Sequence, residues 1–480
     1  MKKLLFLLPV LLFGLTACQD DFLDTAPENT ISNVQLSKNP TAVQAIVNGI
    51  YANLRSYQIG GNTGHIDYGM TGVNAGLDMM SEDINQSVFH WYGFYYNYDA
   101  RVQTASRTRI IWNTYYTQVA EANSVINAID PATTEDPAAL ALRGQALALR
   151  ALFTFNTARI YAHTYIGHES DLCIPMPNGA DFEGKPRATV SEVYAQIKAD
   201  IEESITLLEG FARATPQEVD QLVAYGIAAR VYLEMGEWSS AAAAANAARQ
   251  GRLPMGETEW MQGFSDIGLS EVMWGADIDA ESSTVYASFF SHFANLSPGY
   301  AGILGVYKNI DARLWSQIPE TDFRFNAFAG DTGNAVLPPY ANMKFKDATF
   351  FEGDYIYMRA SEMYLIEAEA LARSGDAAGA QSLLFEFVST RDAAYTQSTA
   401  SGDDLVNEIY LQRRIELWGE GFAFYDMKRF KRALERDYPG TNHQAFGLYN
   451  YDAESDMFNF QIPEDEINAN DAISAAEQNP

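Results

Sequence analysis

Two stretches of this chain repeat one helix-turn-helix pattern, and that repetition restricts the fold more than any other feature. Ala228-Ala229-Arg230-Val231-Tyr232-Leu233-Glu234-Met235-Gly236-Glu237 leads into Ser239 to Arg249. Glu367-Ala368-Glu369-Ala370-Leu371-Ala372-Arg373-Ser374-Gly375-Asp376 leads into Ala380 to Thr390. In each copy a glycine stops the first helix, because it enters the left-handed region without a Cβ clash. An alanine five residues later lets the second helix pack closely. A less regular unit pairs a helix over 141–163 with Val190 to Leu208, across an insertion holding Pro175, Pro177 and Pro186. Such hairpins cannot bury their apolar faces alone, so they must stack.

The spacing is tetratricopeptide-like, but insertions interrupt the roughly 34-residue period. The expected fold is therefore mostly α, with tetratricopeptide-like hairpins, long irregular loops and a few short strands. Val43, Ile46, Val47, Ile50, Tyr51 and Leu54 recur at helical spacing and predict a helix from Thr41. Residues 60–105 carry seven glycines from Gly60 to Gly93 and are expected to be loop with rings in it. Trp112, Tyr115 and Tyr116 keep helical spacing, and Trp315 sits beside Leu314 and Ile318, so these four rings are expected in the core. A strand is expected at Val272-Met273-Trp274, followed to about residue 350 by segments without period. A helix capped by Asp404 is expected to run to about Trp418, ended by Gly419 and Gly421.

From the N-terminus, export from the cytoplasm is expected. Lys2 and Lys3 precede an apolar run from Leu4 to Leu15, too short for the roughly 20 residues a bilayer span needs. Leu15-Thr16-Ala17-Cys18 resembles a bacterial lipobox, so residues 1–17 are expected to be a signal peptide and Cys18 a lipidation site. Several acyl chains at one point anchor stably, at about 0.8 kcal/mol per buried methylene. Residues 18–40 have the composition of an extended tether, and residues 41–480 are expected to form a single domain. With Cys18 acylated, Cys173 has no disulfide partner, so stability rests on the core. The formal charge of −30 argues against nucleic acid and against direct binding to anionic lipid.

Four separated segments resemble the SusD/RagB family of nutrient-uptake lipoproteins. They are Arg359-Ala360-Ser361-Glu362-Met363-Tyr364-Leu365-Ile366-Glu367-Ala368-Glu369-Ala370; Arg413-Arg414-Ile415-Glu416-Leu417 with Glu420-Gly421 and Tyr425-Asp426; Ile462-Pro463-Glu464-Asp465-Glu466-Ile467 with Asn470; and Ala158-Arg159-Ile160-Tyr161. Two positions depart: Gln412 stands where the family often has Glu, and Ala423 where it often has Arg. The resemblance implies a lipoprotein of the outer membrane that captures an oligosaccharide or peptide and caps a TonB-dependent β-barrel of the SusC type. It also implies surface exposure, for which Asp20 and Asp21 resemble an export signal.

Candidate chemistry is sparse. Arg359 with Glu362 and Glu369 with Arg373 have salt-bridge spacing on one helix and are read as scaffold. No acidic pair is singled out for glycoside hydrolysis, which needs two carboxylates facing one bond. His163 and His168 lack a zinc pattern, and Asp277, Asp279 and Glu281 lack a calcium loop, so no catalytic residue, metal or cofactor is assigned. Trp91, Tyr92, Tyr95, Tyr286 and Tyr300 lie in irregular insertions, about 60–105 and 271–350, where rings can stack on the apolar face of a pyranose. They are the candidate ligand platform. The alternatives are a secreted hydrolase and a scaffold that binds only protein.

The Cys18→Ser variant is expected to lose membrane association and keep its fold, because the thiol is the acylation site and the tether carries no core residue. Membrane partitioning of the variant after a salt wash would refute the lipoprotein assignment.

Overall fold

The computed structural model describes Leu36 and residues 39–176 and 184–480; the leader, Cys18 and most of the expected tether lie outside the described residues. Helix α1 spans Pro40–Asn53, one residue earlier than the expected start. Asn39 Oδ1 accepts the Ala42 N–H at 3.1 Å, and Pro40 needs no partner in the first turn. Helix α2 is Met70–Asp78, followed by α3 Ser106–Ala128 and α4 Pro137–Tyr161. Next come α5 Val190–Leu207, opened by a Thr189/Glu192 capping box, then α6 Gln221–Met235 and α7 Trp238–Ala248. The C-terminal helices are α8 Ala360–Ser374, α9 Ala377–Val388, α10 Gly402–Glu416 and α11 Ala423–Arg429.

Helices α3 to α8 each pack on the next in chain order, and α8 also packs on α9 and α10. The hairpins α4/α5, α6/α7 and α8/α9 are the three units expected from the sequence. Gly236 and Gly375 end α6 and α8 in the left-handed region, at φ 74° and 95°. Ala241 and Ala380 are fully buried where the paired helices meet. Helix α4 is apolar nearly all round because neighbours cover it, with 78% of its most apolar window buried. Trp112 and Tyr115 are buried, whereas Tyr116 and Trp315 are partly buried against the same core.

Strands are short and occur in two-stranded antiparallel pairs. They include β1 Ile84–Gln86, β2 Leu172–Pro175, β3 Arg187–Thr189, β4 Val272–Ala276, β5 Lys308–Ile310 and β6 Tyr355–Arg359. Strand β4 contains the expected Val272-Met273-Trp274 and pairs with β6; β1 pairs with β5 and β2 with β3.

Three local expectations are corrected. Residues 60–105 are not all loop, since α2 forms there. Its glycines serve close packing: a Cβ on Gly76 would lie 2.6 Å from a Tyr95 ring carbon, and one on Gly72 2.5 Å from the Ile66 carbonyl oxygen. Asp404 does not cap α10; Ser401 holds the cap position, and Asp403 and Asp404 lie in the first turn, where the helix dipole favours them. Arg359 does not pair with Glu362. Arg230 takes both Glu362 oxygens, at 2.7 and 2.6 Å, while Glu369 does pair with Arg373, at 2.8 Å.

Arg359 instead joins a buried ionic cluster between the helical stack and the irregular segment before α8. Four cations (Arg324, Lys344, Arg359, Arg391) meet four carboxylates (Asp322, Glu271, Glu416, Glu420). Glu416 lies at the centre, accepting from Arg324 at 2.9 Å, Arg359 at 2.8 Å, Arg391 at 3.0 Å and the Trp260 indole at 3.1 Å. Burial alone would raise its pKa, but the guanidiniums of Arg391, Arg359 and Arg324 hold it well below the usual carboxylate range.

Asp78 is the counterexample. Its carboxylate accepts the N–H groups of Gly421 and Ala423 at 2.7 and 2.9 Å, and among the described residues no Lys or Arg pairs with it. Burial pushes its pKa up to about 8 despite those bonds. The folded state therefore holds a proton that the unfolded chain releases near pH 4. Stability from this group is lost as pH rises from about 4 towards 8. Unfolding curves of wild type and Asp78→Asn between pH 5 and pH 9 are expected to diverge, with wild type losing ground as pH rises; parallel curves would refute the assignment. Trp112→Ala is expected to cost about 3–5 kcal/mol of stability in the same assay through the cavity it leaves.

Candidate functional site

The candidate site is built on three loops that regular elements hold together. Asp67 closes the loop before α2, accepting the N–H groups of Gly60 at 2.9 Å and Asn62 at 3.0 Å, and so presents His65. The segment after β1 carries Trp91. A short helix, Phe289–Phe293, lies between Tyr286 and Tyr300, and the Ser291 hydroxyl accepts the Tyr300 N–H at 3.3 Å.

Four rings form a connected row. Trp91 stacks on His65 with centroids 5.6 Å apart and planes 24° apart. His65 lies 5.6 Å from Tyr300, whose hydroxyl meets His65 Nδ1 at 2.6 Å. Tyr300 lies 5.8 Å from Tyr286. Tyr286 is 43% exposed; Trp91, His65 and Tyr300 are half-buried. Ile303 (63% exposed) and Phe350 (69%) extend the apolar surface beside the row.

The support beneath the row is polar and buried. His292 stacks on Tyr300 at 4.9 Å, and its Nε2 donates to the His65 carbonyl at 2.9 Å. Lys308 of β5 donates to the carbonyls of His292 at 3.0 Å and Val306 at 3.1 Å. Burial lowers the Lys308 pKa to about 7, and burial together with the Lys308 charge lowers that of His292 well below its usual range. The imidazole under Tyr300 is thus neutral at pH 7, so the row presents π faces and hydrogen-bonding edges with no added positive charge from that ring.

Of the five rings expected to form a platform, the structure brings Trp91, Tyr286 and Tyr300 to one surface and withdraws the other two. Tyr92 and Tyr95 are each 1% exposed. Tyr92 turns its hydroxyl to Tyr68 at 2.5 Å, and Tyr95 covers Gly76, so both belong to the core beneath the surface. Trp91 and Tyr92 lie in the turn before helix Gly93–Tyr96 and Tyr95 within it, so the three rings leave the backbone in different directions. Sequence reasoning missed His65, a single histidine between Gly64 and Ile66; only its contacts mark it.

The other candidates stabilise local structure. His163 and His168 stack at 4.6 Å, and His168 meets Asp171 at 2.6 Å and Glu454 at 3.0 Å. Asp279 accepts the Glu281 and Ser282 N–H groups at 3.1 and 2.8 Å, closing its own turn. Cys173 is buried and free.

A family model described as starch-binding associating with outer membrane matches residues 21–233, and a SusD family model matches residues 333–480. SusD-like protein P2 of Formosa agariphila is 24% identical over 484 residues, covering 91% of this chain and 92% of that protein. SusD-like protein P38 of the same organism is 23% identical over 387 residues, covering 68% of this chain and 72% of that protein. A SusD-like carbohydrate binding protein from Bacteroides vulgatus superposes with a TM-score of 0.81 at 25% identity, covering 92% of this chain and 98% of its own. A laminarin binding SusD-like protein superposes with a TM-score of 0.70 at 19% identity, covering 92% and 99%. Matched by these models over most of its length and sharing their mostly helical fold, the chain belongs to the SusD/RagB family.

Proposed function

We propose that this chain is a lipid-anchored protein of the cell surface that captures a glycan on the row Trp91–His65–Tyr300–Tyr286 and passes it to a TonB-dependent β-barrel in the outer membrane. The observation that carries the proposal is the row itself. Trp91, Tyr286, Tyr300 and the His65 imidazole, brought from three segments of the chain, meet at one surface and stay partly accessible, where full burial would have been the cheaper use of apolar surface. The C–H face of a pyranose stacks on such rings, and ring nitrogens and hydroxyls bond its rim. The names of the relatives, a carbohydrate binding and a laminarin binding protein among them, support the same class of ligand. Anchoring at Cys18, a tether that ends before the core residue Leu36, and a single domain beyond it complete the proposal. The protein acts by binding, with no residue assigned to bond cleavage.

Binding is tested by titrating the protein with a panel of polysaccharides and peptides. Trp91→Ala, Tyr286→Ala and Tyr300→Ala are each expected to weaken glycan binding by about 1–3 kcal/mol, with the melting curve little changed. The glycan should be recovered uncut after incubation with catalytic amounts of protein. Mild detergent extraction should recover the protein with a large outer-membrane β-barrel. Unchanged affinity in all three variants would move the site elsewhere, and recovery only as a free monomer would remove the transporter from the proposal.

A further inference from the structure

A partly open cavity lies between α2, the C-terminal turn of α4, β6 and the loop 419–422, and no ring of the surface row lines it. It leaves about 60 Å³ for the centres of water-sized atoms. One water needs only about 10–15 Å³ by the same measure, so the space suits a small molecule. Phe264, Phe289, Phe345 and Tyr355 supply apolar walls.

The polar part of the lining is incompletely bonded. Arg159 of α4 is clamped between Phe155 and Tyr425, with its guanidinium carbon 3.9 and 3.6 Å from the ring centroids. Its one hydrogen bond among the described residues runs from Nη2 to Asn156 Oδ1 at 2.6 Å, and no Asp or Glu pairs with it. Arg159 Nε, Asn74 Oδ1 and the Tyr425 hydroxyl are buried without a partner, and Tyr425 as a whole is only 5% exposed. The acids on the same walls are committed elsewhere. Glu420 is held by Arg359 and Lys344, and Asp354 accepts the N–H groups of Ile267 and Ile278. Arg230, also on the wall, already has both oxygens of Glu362.

Arg159 is partly buried, with both faces of its guanidinium covered by rings and its Nε buried without a partner, and a planar carboxylate matches the fork it leaves unpaired. The two clamping rings fix the guanidinium plane, so a partner must approach in that plane. We propose that this cavity is a second ligand site, separate from the exposed rings, that binds a small organic carboxylate with a flat apolar body and pairs it with Arg159. The site stands independently of the glycan proposal, since it shares none of the exposed rings.

The test is calorimetric titration of detergent-solubilised full-length protein with benzoate and with its neutral analogue benzamide. Benzoate is expected to bind about ten- to a hundredfold more tightly than benzamide, the range for a hydrogen bond to a charged group. Arg159→Gln, shown folded by its melting curve, should lose that preference, and Trp91→Ala should retain it. Equal binding of the two probes, or binding of neither, would overturn the proposal, as would loss of benzoate binding in Trp91→Ala. Should Arg159→Gln fail to fold, the wild-type comparison of the two probes decides, with Trp91→Ala locating the site.

Discussion

The buried carboxylate of Glu416 is the contact on which the placement of the irregular segment against the helical stack depends. It ends α10, yet its bonds reach Arg324 in the irregular segment, Arg391 after α9, and Arg359, where β6 becomes α8. Withdrawing these charges from water is unfavourable for each alone, so the cluster holds only when every member is in place. That requirement gives the helical stack and the irregular segment one relative orientation. Gln412 fits this balance: its side-chain oxygen accepts from Arg324 at 2.6 Å, bonding without adding a further charge to four cations and four anions.

The exposed rings inherit their positions from that framework. Strand β5 carries Lys308, whose ammonium holds the carbonyl of His292; His292 in turn supports Tyr300 and bonds the loop that presents His65. Trp91, His65 and Tyr286 therefore sit on irregular segments and Tyr300 opens the short helix Tyr300–Leu304, and the segments carrying His65 and Tyr300 are fastened by buried polar contacts. Binding residues on loops over a rigid scaffold is a general arrangement, because loops tolerate change without loss of the core. Here Gly76 of α2 contributes too, letting the Tyr95 ring pack directly against that helix.

Parts of this were legible in the residues. The glycine five positions before a buried alanine marked the hairpins α6/α7 and α8/α9, since a left-handed stop and a close helix contact are both local requirements. Strand β4 was legible too, from the apolar run Val272-Met273-Trp274. Helix α2 was not, because Gly72 and Gly76 carry the same letters whether they make a turn or admit a ring. Tyr92 and Tyr95 could not be told from Trp91, as all three sit within five residues and only their tertiary contacts decide which way each ring turns. The partners of Arg359 (Glu271, Glu416 and Glu420) were out of reach, all far along the chain, while Glu362 stood at salt-bridge spacing on the same helix.

By itself the sequence determined the class of the fold, the stacked hairpins and the family, because these rest on periodicity, stop signals and motifs that act within a few turns of chain. Tertiary structure alone decided which rings meet at the surface, that His65 joins them, that Arg359 turns inward to Glu416, and that Arg159 borders a cavity with unfilled bonds. Those outcomes depend on residues far apart in the chain competing for the same burial and the same hydrogen bonds, and that competition is settled only when the elements pack.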